Sequence, residues 1–565
     1  MAYHYVLVRR SLWHAGINGQ AGEQDFQAIL LAKGGPDSLR ESATRSQASG
    51  NASLPEPRID AFLYTHAGRI VAGLCVYAAL RILVFAAAFP LFNITDEDSH
   101  FLTIRMYADG HLPGRDLPAV DPEFEKAFVL YGSPEYTHTQ DDLERNGPRI
   151  PLYQLPPEAR GAALAQAFYV GKLKDWSEKP NFEAQSPPLY YATAAGWYKL
   201  GAGLGIKEWR LIYWVRFFNS IAYALLVWVS YRFTRKVCPE RPFLYVAVPA
   251  LIAVFPQDVF FGMNRDVLSA PLAAVALLLM MEALDSAPGK FRWLILSSLV
   301  VGLGLLVEVS NCVLYGTLVA TFWYWLCRPG IKRARKMRVV SIGVLAALGP
   351  PGLWMLRNYL EIGDLTGSRA KMHELGWTLR PMAEVFHHPL FSWDGLSYFL
   401  LQLTRSFWHG EYLWHGRWMR SEAADWFYVS SSALMIVIFA VELIRQRDTV
   451  SHTQRLAGFQ SLFLVTSSVL FLAAISLPFD FHDCLIPSRL HPFFVNGRII
   501  SGALLPFVFI YASGLEAIAT RLRRWIPPAA LLVVLLSFIT VTEIMVRRPA
   551  FASPYNFFAL SAWRH

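Results

Sequence analysis

Thr95-Asp96-Glu97-Asp98-Ser99-His100 sets three carboxylates and an imidazole side by side just beyond the first long apolar run of the chain. Charged groups at the mouth of a membrane helix are costly unless they face water or a polar cavity. An exposed Asp has a pKa of about 3.9, so Asp96 and Glu97 are expected to be ionised at neutral pH, able to take a proton late in a reaction or to orient a hydroxyl. His100 lies one helical turn after Asp96 and Glu97 and can hydrogen-bond to either. The same residues also suit a plainer role, in which Thr95-Asp96-Glu97 caps a helix starting at Asp98 and the helix dipole favours the acids. The two roles are compatible. Asp266, after Asn264 and Arg265, has similar options: a cap on the next apolar segment or a contact to a bound polar group.

The rest of the chain must hold this cluster in place. The 565 residues are 54% hydrophobic and 17% charged, with repeated runs of about twenty apolar residues, so the expected class is an all-α polytopic membrane protein. The net charge of +9 sits mostly in short loops, which fits a cytoplasmic excess of Lys and Arg better than nucleic-acid binding. Cys75, Cys238, Cys312, Cys327 and Cys484 lack ligand-like spacing and indicate neither a disulfide framework nor a zinc site. Residues 1–66 show no apolar segment near Met1 and are expected to form a cytoplasmic, partly disordered extension with a short helix near Asp25 to Ala32.

The transmembrane domain is expected over 67–546, with 547–565 as a tail on the outer face. Loop charges favour about eleven spans (roughly ten to thirteen) with the N-terminus inside. They fall at roughly 69–92, 211–231, 242–262, 267–284, 292–308, 311–327, 339–357, 426–444, 457–477, 498–516 and 526–546. Pro187 to Leu204 is short and opens with two prolines; a crossing there would place Arg232, Arg235, Lys236 and Arg241 outside, so it is expected to be re-entrant or interfacial. Outer loops then cover 93–186, 358–425 and 478–497, with surface helices near Pro157 to Lys174 and Phe407-Trp408-His409. Asn264-Arg265-Asp266 and Glu308 to Asn311 reach the same face. Arg81, inside the first span, needs a polar partner or must snorkel.

Five short motifs on that face carry a family resemblance. Asp96-Glu97-Asp98-Ser99-His100-Phe101 resembles the Asp-Glu motif in the first outer loop of GT-C-type integral-membrane glycosyltransferases, which include the aminoarabinose transferase of lipid A and the protein O-mannosyltransferases. Gln185-Ser186-Pro187-Pro188-Leu189-Tyr190-Tyr191 resembles their Pro-Pro-Leu-Tyr-Tyr element. Pro256 with Asn264-Arg265-Asp266-Val267-Leu268 resembles an Asn/Thr-Asp-Ala-Leu element, and Arg357-Asn358-Tyr359 with Gly363-Asp364 an Arg-Asn-Tyr…Gly-Asp element. Asn496-Gly497-Arg498-Ile499-Ile500 ahead of Leu505-Pro506 resembles Gln-Gly-Arg-Tyr…Leu-Pro. The sequence departs from the pattern at Glu308, where many members carry Lys, and at Asn496, where many carry Gln.

The resemblance implies transfer of a hexose or pentose from a polyprenyl-phosphate carrier to an acceptor hydroxyl on the outer face, with inversion. A departing phosphate scarcely needs an acid; it needs cations, and the acceptor needs a base. Asp96 is the expected base, with Glu97 orienting acceptor or sugar. His100, Gln185, Tyr190, Asn264, Asp266, Arg357 and Arg498 are the expected substrate-binding residues. Arg357 and Arg498 offer a bidentate fork to phosphate, although each alone also fits a snorkelling span end; Arg265 and Arg105 come next.

The implied partners are a polyprenyl-phosphate-linked sugar, an acceptor glycan, lipid or protein, and the lipid bilayer, without nucleic acid. The expected location is a bacterial inner membrane with the site on the periplasmic face. The sequence specifies no cofactor and leaves metal dependence open: Asp480-Phe481-His482-Asp483 could bind a divalent cation, and a solvated loop is its plainer account. Two other classes compete: a secondary transporter, and a non-catalytic assembly or flippase-like protein for envelope polysaccharide.

Overall fold

The computed structural model describes residues 56–562 except 94–95, 116–121, 133, 138–140, 142–143, 146–149, 171–180, 286–290, 446–450, 483, 485–486 and 523–524. The expected N-terminal helix near Asp25, Thr95 and Asp483 therefore lie outside the described residues.

The helices that matter for the site are α1 (Glu56–Ala88), α2 (Glu97–Ala108), α3 (Leu189–Gly203), α4 (Glu208–Val237), α5 (Pro242–Ala253), α6 (Ser269–Asp285) and α7 (Arg292–Leu305). They continue with α8 (Leu314–Leu326), α9 (Arg333–Ile362), α10 (Trp393–His409), α11 (Glu422–Arg445), α12 (His452–Ser476), α13 (Leu504–Leu522) and α14 (Pro528–Ala552). Among the described residues, eight helical stretches are long and apolar enough to cross a membrane: Thr65–Ala88, Glu208–Val237, Arg265–Asp285, Arg333–Ile362, Glu422–Arg445, His452–Ser476, Gly497–Leu522 and Pro528–Ala562. The other three expected spans coincide with α5, α7 and α8, of 12, 14 and 13 residues. At 1.5 Å per residue these rise only about 18–21 Å, short of the roughly 30 Å apolar layer.

The shortfall has a local cause. α5 is followed by a 3-10 turn at Asp258–Phe261, and 3-10 turns at Arg265–Leu268, Val309–Val313 and Gly497–Ala503 precede α6, α8 and α13. All four lie at the expected outer ends of their spans. Non-helical backbone at such depth is tolerated where protein buries it, and Asp258, Asp266, Ser310 and Gly497 are all buried.

α3, at 15 residues, is too short to cross and buries Tyr190, Tyr191, Ala194 and Ala195. It is pinned to α4 by two indoles, Trp197 Nε1–H donating to Trp214 O at 2.8 Å and Trp214 Nε1–H to Trp197 O at 2.9 Å. Their rings stack at 4.4 Å. A helix runs over Pro157–Val170, and the remainder of the expected surface helix, 171–174, lies outside the described residues. α10 carries Phe399, Leu403, Phe407 and Trp408 on its buried side. Two strand pairs tie the outer loops: Thr378–Leu379 runs antiparallel to Phe479–Asp480, and Leu413–Trp414 to Arg417–Trp418. Arg81 meets the polar partner its position required, the Glu543 carboxylate of α14.

Candidate active site

α2 begins in an uncommon way. Asp96, its N-cap, sits in the left-handed region (φ 63°, ψ 9°), and its side chain makes no capping hydrogen bond. Such a backbone costs a residue other than Gly some energy and is tolerated best by Asn and Asp. The half-buried carboxylate points instead to Arg498, with Oδ2 at 3.6 Å from Nη2.

Arg498 gathers two further acids. Its Nη1–H donates to Asp266 Oδ2 at 3.0 Å and its Nε–H to Glu411 Oε2 at 3.3 Å. Asn496 Nδ2–H donates to the same Glu411 oxygen at 2.7 Å. Asp266 Oδ1 and Glu411 Oε1 have no hydrogen-bond partner among the described residues. Capping falls to Asn264, whose Oδ1 accepts from Asp266 N at 2.9 Å, so the Asp266 carboxylate is free of that duty.

Local backbone rules place these groups. Gly497 lies so close to α10 that a Cβ there would stand 2.2 Å from Phe407 N. Gly410 takes φ 89°, and a Cβ on it would meet Asp258 Oδ1 at 1.8 Å. Asp258 accepts from Glu411 N at 2.8 Å and Tyr412 N at 2.9 Å, which fixes the start of the Glu411 side chain. Glycine is needed at both places for close approach, and at Gly410 for its positive φ as well.

A second nest adjoins through Arg265, the neighbour of Asp266. Glu183 accepts from Arg265 Nη1–H at 2.7 Å, Ser186 Oγ–H at 2.6 Å, Tyr191 O–H at 3.2 Å and the Lys371 ammonium. Arg265 also pairs with Glu308. Burial alone would raise the Glu183 carboxyl, but Arg265 and then Lys371 hold it well below the usual carboxylate range. His100 Nδ1 lies 2.8 Å from the Tyr191 hydroxyl. Because that hydroxyl donates to Glu183, the network assigns the imidazole proton to Nδ1 and leaves Nε2 as a bare acceptor. His100 Nε2 is buried and unpartnered among the described residues. Burial pushes the imidazole down to about 3, so it is neutral at physiological pH. Burial and then Asp96 push Asp98 up to about 7.

Other expected site residues lie differently. Glu97 is wholly buried, and both its oxygens pair with Arg216, at 2.6 Å from Nε and 2.6 Å from Nη2. It also accepts from Phe92 N at 2.9 Å and Met263 N at 3.0 Å. Arg216 in turn donates to the carbonyls of Ala86, Phe89 and Pro90, closing the end of α1. Glu97 is thus a clasp between α1, α2 and α4, with its carboxylate fully engaged. Tyr190 is buried edge-to-face against Tyr191. Gln185 Nε2–H donates to Gly114 O at 3.0 Å. Arg357 donates to Pro113 O and, at 3.2 Å, to Asn358 Oδ1, so it joins the layer of Gln185 rather than the Arg498 cluster. His482 lies 2.8 Å from Thr378 Oγ1, and its N–H donates to Asp480 at 3.2 Å. Among the described residues, no group of three or more His, Cys, Asp or Glu could hold a metal ion.

Arg216, Glu183, Lys371 and Glu411 are site members that no sequence motif marks. Arg216 carried one signal, a charge inside an apolar span. The other three lie in long polar loops with no local signature.

Residues 186–354 match the dolichyl-phosphate-mannose-protein mannosyltransferase family. That stretch contains Ser186, Arg265, Asp266 and Glu308, while Asp96, Arg498 and Glu411 lie outside it. The chain is also similar to the crystal structure of ArnT from Cupriavidus metallidurans bound to undecaprenyl phosphate, at 14% identity and a TM-score of 0.41, covering 86% of this chain and 74% of that one. It is similar to the Archaeoglobus fulgidus oligosaccharyltransferase tethered with an acceptor peptide, at 12% identity and a TM-score of 0.38, covering 84% of this chain and 55% of that one. No curated protein matches the chain. The resemblance to GT-C membrane glycosyltransferases drawn from the motifs stands, with the family match covering its middle section.

Proposed function

We propose that this chain transfers a sugar from a polyprenyl-phosphate carrier to an acceptor hydroxyl, with inversion, at the outer face of a bacterial inner membrane. The observation that carries the proposal is the convergence of Asp96, Asp266 and Glu411 on Arg498, from four separate stretches of sequence. Asp96 is the base: its side chain makes no capping bond, is partly open, and its ion pair is long enough to leave oxygen lone pairs for an incoming hydroxyl. It takes that proton as the acceptor oxygen bonds the anomeric carbon and the carbon–oxygen bond to phosphate breaks. The bonding electrons leave on the phosphate.

Arg498, Arg265 and Lys371 supply the positive charge that the departing phosphate needs. Lys371 reaches in from the outer loop and shares Glu183 with Arg265, so a cation is present although Glu308 occupies a place where the resemblance suggests Lys. Asp266 orients Arg498, and His100 Nε2 offers an acceptor to a sugar hydroxyl. Glu97, assigned from sequence to orient substrate, instead holds the backbone on which Asp96 stands.

The test is transfer of radiolabelled sugar from a panel of polyprenyl-phosphate sugars by the full chain in proteoliposomes containing envelope extract as acceptor. Asp96→Asn is expected to lower turnover by about 10²–10⁴-fold, the range of general-base catalysis, with unchanged melting in detergent. Undiminished product from Asp96→Asn would remove Asp96 as base. Ion-gradient-driven uptake without product would favour the transporter class.

A further inference from the structure

A cavity of about 190 Å³ is lined in part by Glu411 and Asn496, and Arg498 is not among its lining residues. The cavity is small beside the roughly 300–1,000 Å³ of drug-sized pockets, and suits one sugar ring. Glu411 and Asn496 form the wall it shares with the Arg498 cluster, so an occupant sits one side chain away from the reacting groups.

The remaining lining is of two kinds. Tyr398 and Trp418 offer aromatic faces, Tyr398 stacked on His491 at 3.9 Å. Arg405, Arg420 and His409 are basic and gather round one buried carboxylate, Asp425, which lies just behind the lining. His409 Nδ1 is 2.6 Å from Asp425 Oδ1, whereas the Nε atoms of Arg405 and Arg420 stand off at 3.8 Å and 3.7 Å from Oδ2. One carboxylate thus faces two guanidinium groups at distances too long for hydrogen bonds. His409 is 3% exposed, and its Nε2 has no hydrogen-bond partner among the described residues; neither has Arg405 Nε. His409 is thus a residue of the cavity lining whose buried ring is held by a carboxylate at one nitrogen and has no partner at the other, an unsatisfied polar group that asks for an explanation.

We propose that this cavity is a binding pocket for a single saccharide ring carrying an anionic group, phosphate or carboxylate. Arg405, Arg420 and His409 Nε2 hold the anion, Tyr398 and Trp418 flank the ring, and Glu411 Oε1 accepts from a ring hydroxyl at the shared wall. Calling that saccharide the acceptor rests on the glycosyl-transfer proposal; the binding itself does not.

The experiment separates the two. Melting of the detergent-solubilised full chain is followed against glucose 1-phosphate, glucuronate, neutral glucose and inorganic phosphate. At least one of the two charged sugars is expected to raise Tm at concentrations tenfold or more below those needed for glucose or inorganic phosphate, and the stronger of the two identifies the anion. Arg420→Gln and Trp418→Leu should each weaken that effect tenfold or more. Hydrogen exchange on the unmutated chain, which needs no variant to fold, should show protection confined to 398–420 and 487–496. Equal response to glucose or inorganic phosphate, unchanged response in both variants, or protection elsewhere would overturn the pocket. Charged-sugar binding without any transfer would keep the pocket and remove the enzyme; transfer with no pocket response would do the reverse.

Discussion

At Glu97 both oxygens are held by Arg216 and by two backbone amides, whereas the adjacent Asp96 carboxylate stands 3.6 Å from Arg498 and partly open. Substitution should therefore separate the pair. Asp96→Asn is expected to cost turnover and spare stability, while Glu97→Gln leaves a buried guanidinium underpaired and should cost about 3–5 kcal/mol of stability, read as a fall in Tm and in folded yield. Asp98 adds a pH signature. Its folded pKa of about 7 lies above the ordinary Asp value of 3.8, so the folded state holds its proton more tightly. The resulting stability is fully present below about pH 4 and is lost as pH rises through about 7. Asp98→Asn should remove that slope: the Tm difference between variant and parent is expected to grow in the variant's favour from pH 4 to pH 7 and then level off. A flat difference across that range would mean that Asp98 titrates as an ordinary exposed acid.

The site is made where helices give way to 3-10 turns, and glycines decide how closely those turns approach. Gly410→Ala places a Cβ within 1.8 Å of Asp258 Oδ1 at a φ of 89°, which disturbs the acceptor of the Glu411 and Tyr412 amides. The expected outcome is a loss of about 1–3 kcal/mol together with a raised KM, because Glu411 no longer steadies Arg498. An unchanged KM would detach Glu411 from the reaction. How far this was legible follows from the physics of each element. Apolar runs marked a helix at every expected span, since burial in lipid leaves a local composition signal. Asp96, Asp266 and Arg498 stood out because short motifs surround them. The shortened α5, α7 and α8 were not legible, because hydropathy marks an apolar run without showing where its helix gives way to a 3-10 turn. Glu411 and Lys371 were hidden for another reason: their roles come from contacts with partners over 80 residues away, and no local pattern encodes those. Proximity in sequence says nothing of the different surroundings of Asp96, which sits in a left-handed turn, and Glu97, whose oxygens are held by Arg216.

On the scale of the whole molecule, the first and last long helices are joined inside the apolar layer. Arg81 of α1 pairs with Glu543 of α14, the two side chains being 4% and 2% exposed, and its Nη2–H also donates to Phe255 O at 3.0 Å. Arg547, a turn further along α14, donates to His409 O at 2.5 Å and lies 3.6 Å from Asp258 Oδ2. The chain's last long helix thus reaches the backbone support of Glu411, and the Arg81 pair helps to set its height. Removing one member of a buried pair leaves an uncompensated charge and costs about 3–5 kcal/mol, while replacing both by apolar groups is often neutral. Arg81→Met alone and Glu543→Leu alone are expected to lower Tm and folded yield sharply. The double variant should recover most of both, because neither charge is then stranded in lipid or protein. If α14 keeps its height in the double variant, turnover recovers with stability. Recovered stability with turnover still lost would instead assign the pair a part in aligning α14, through Arg547 and Asp258, with the Glu411 side of the site.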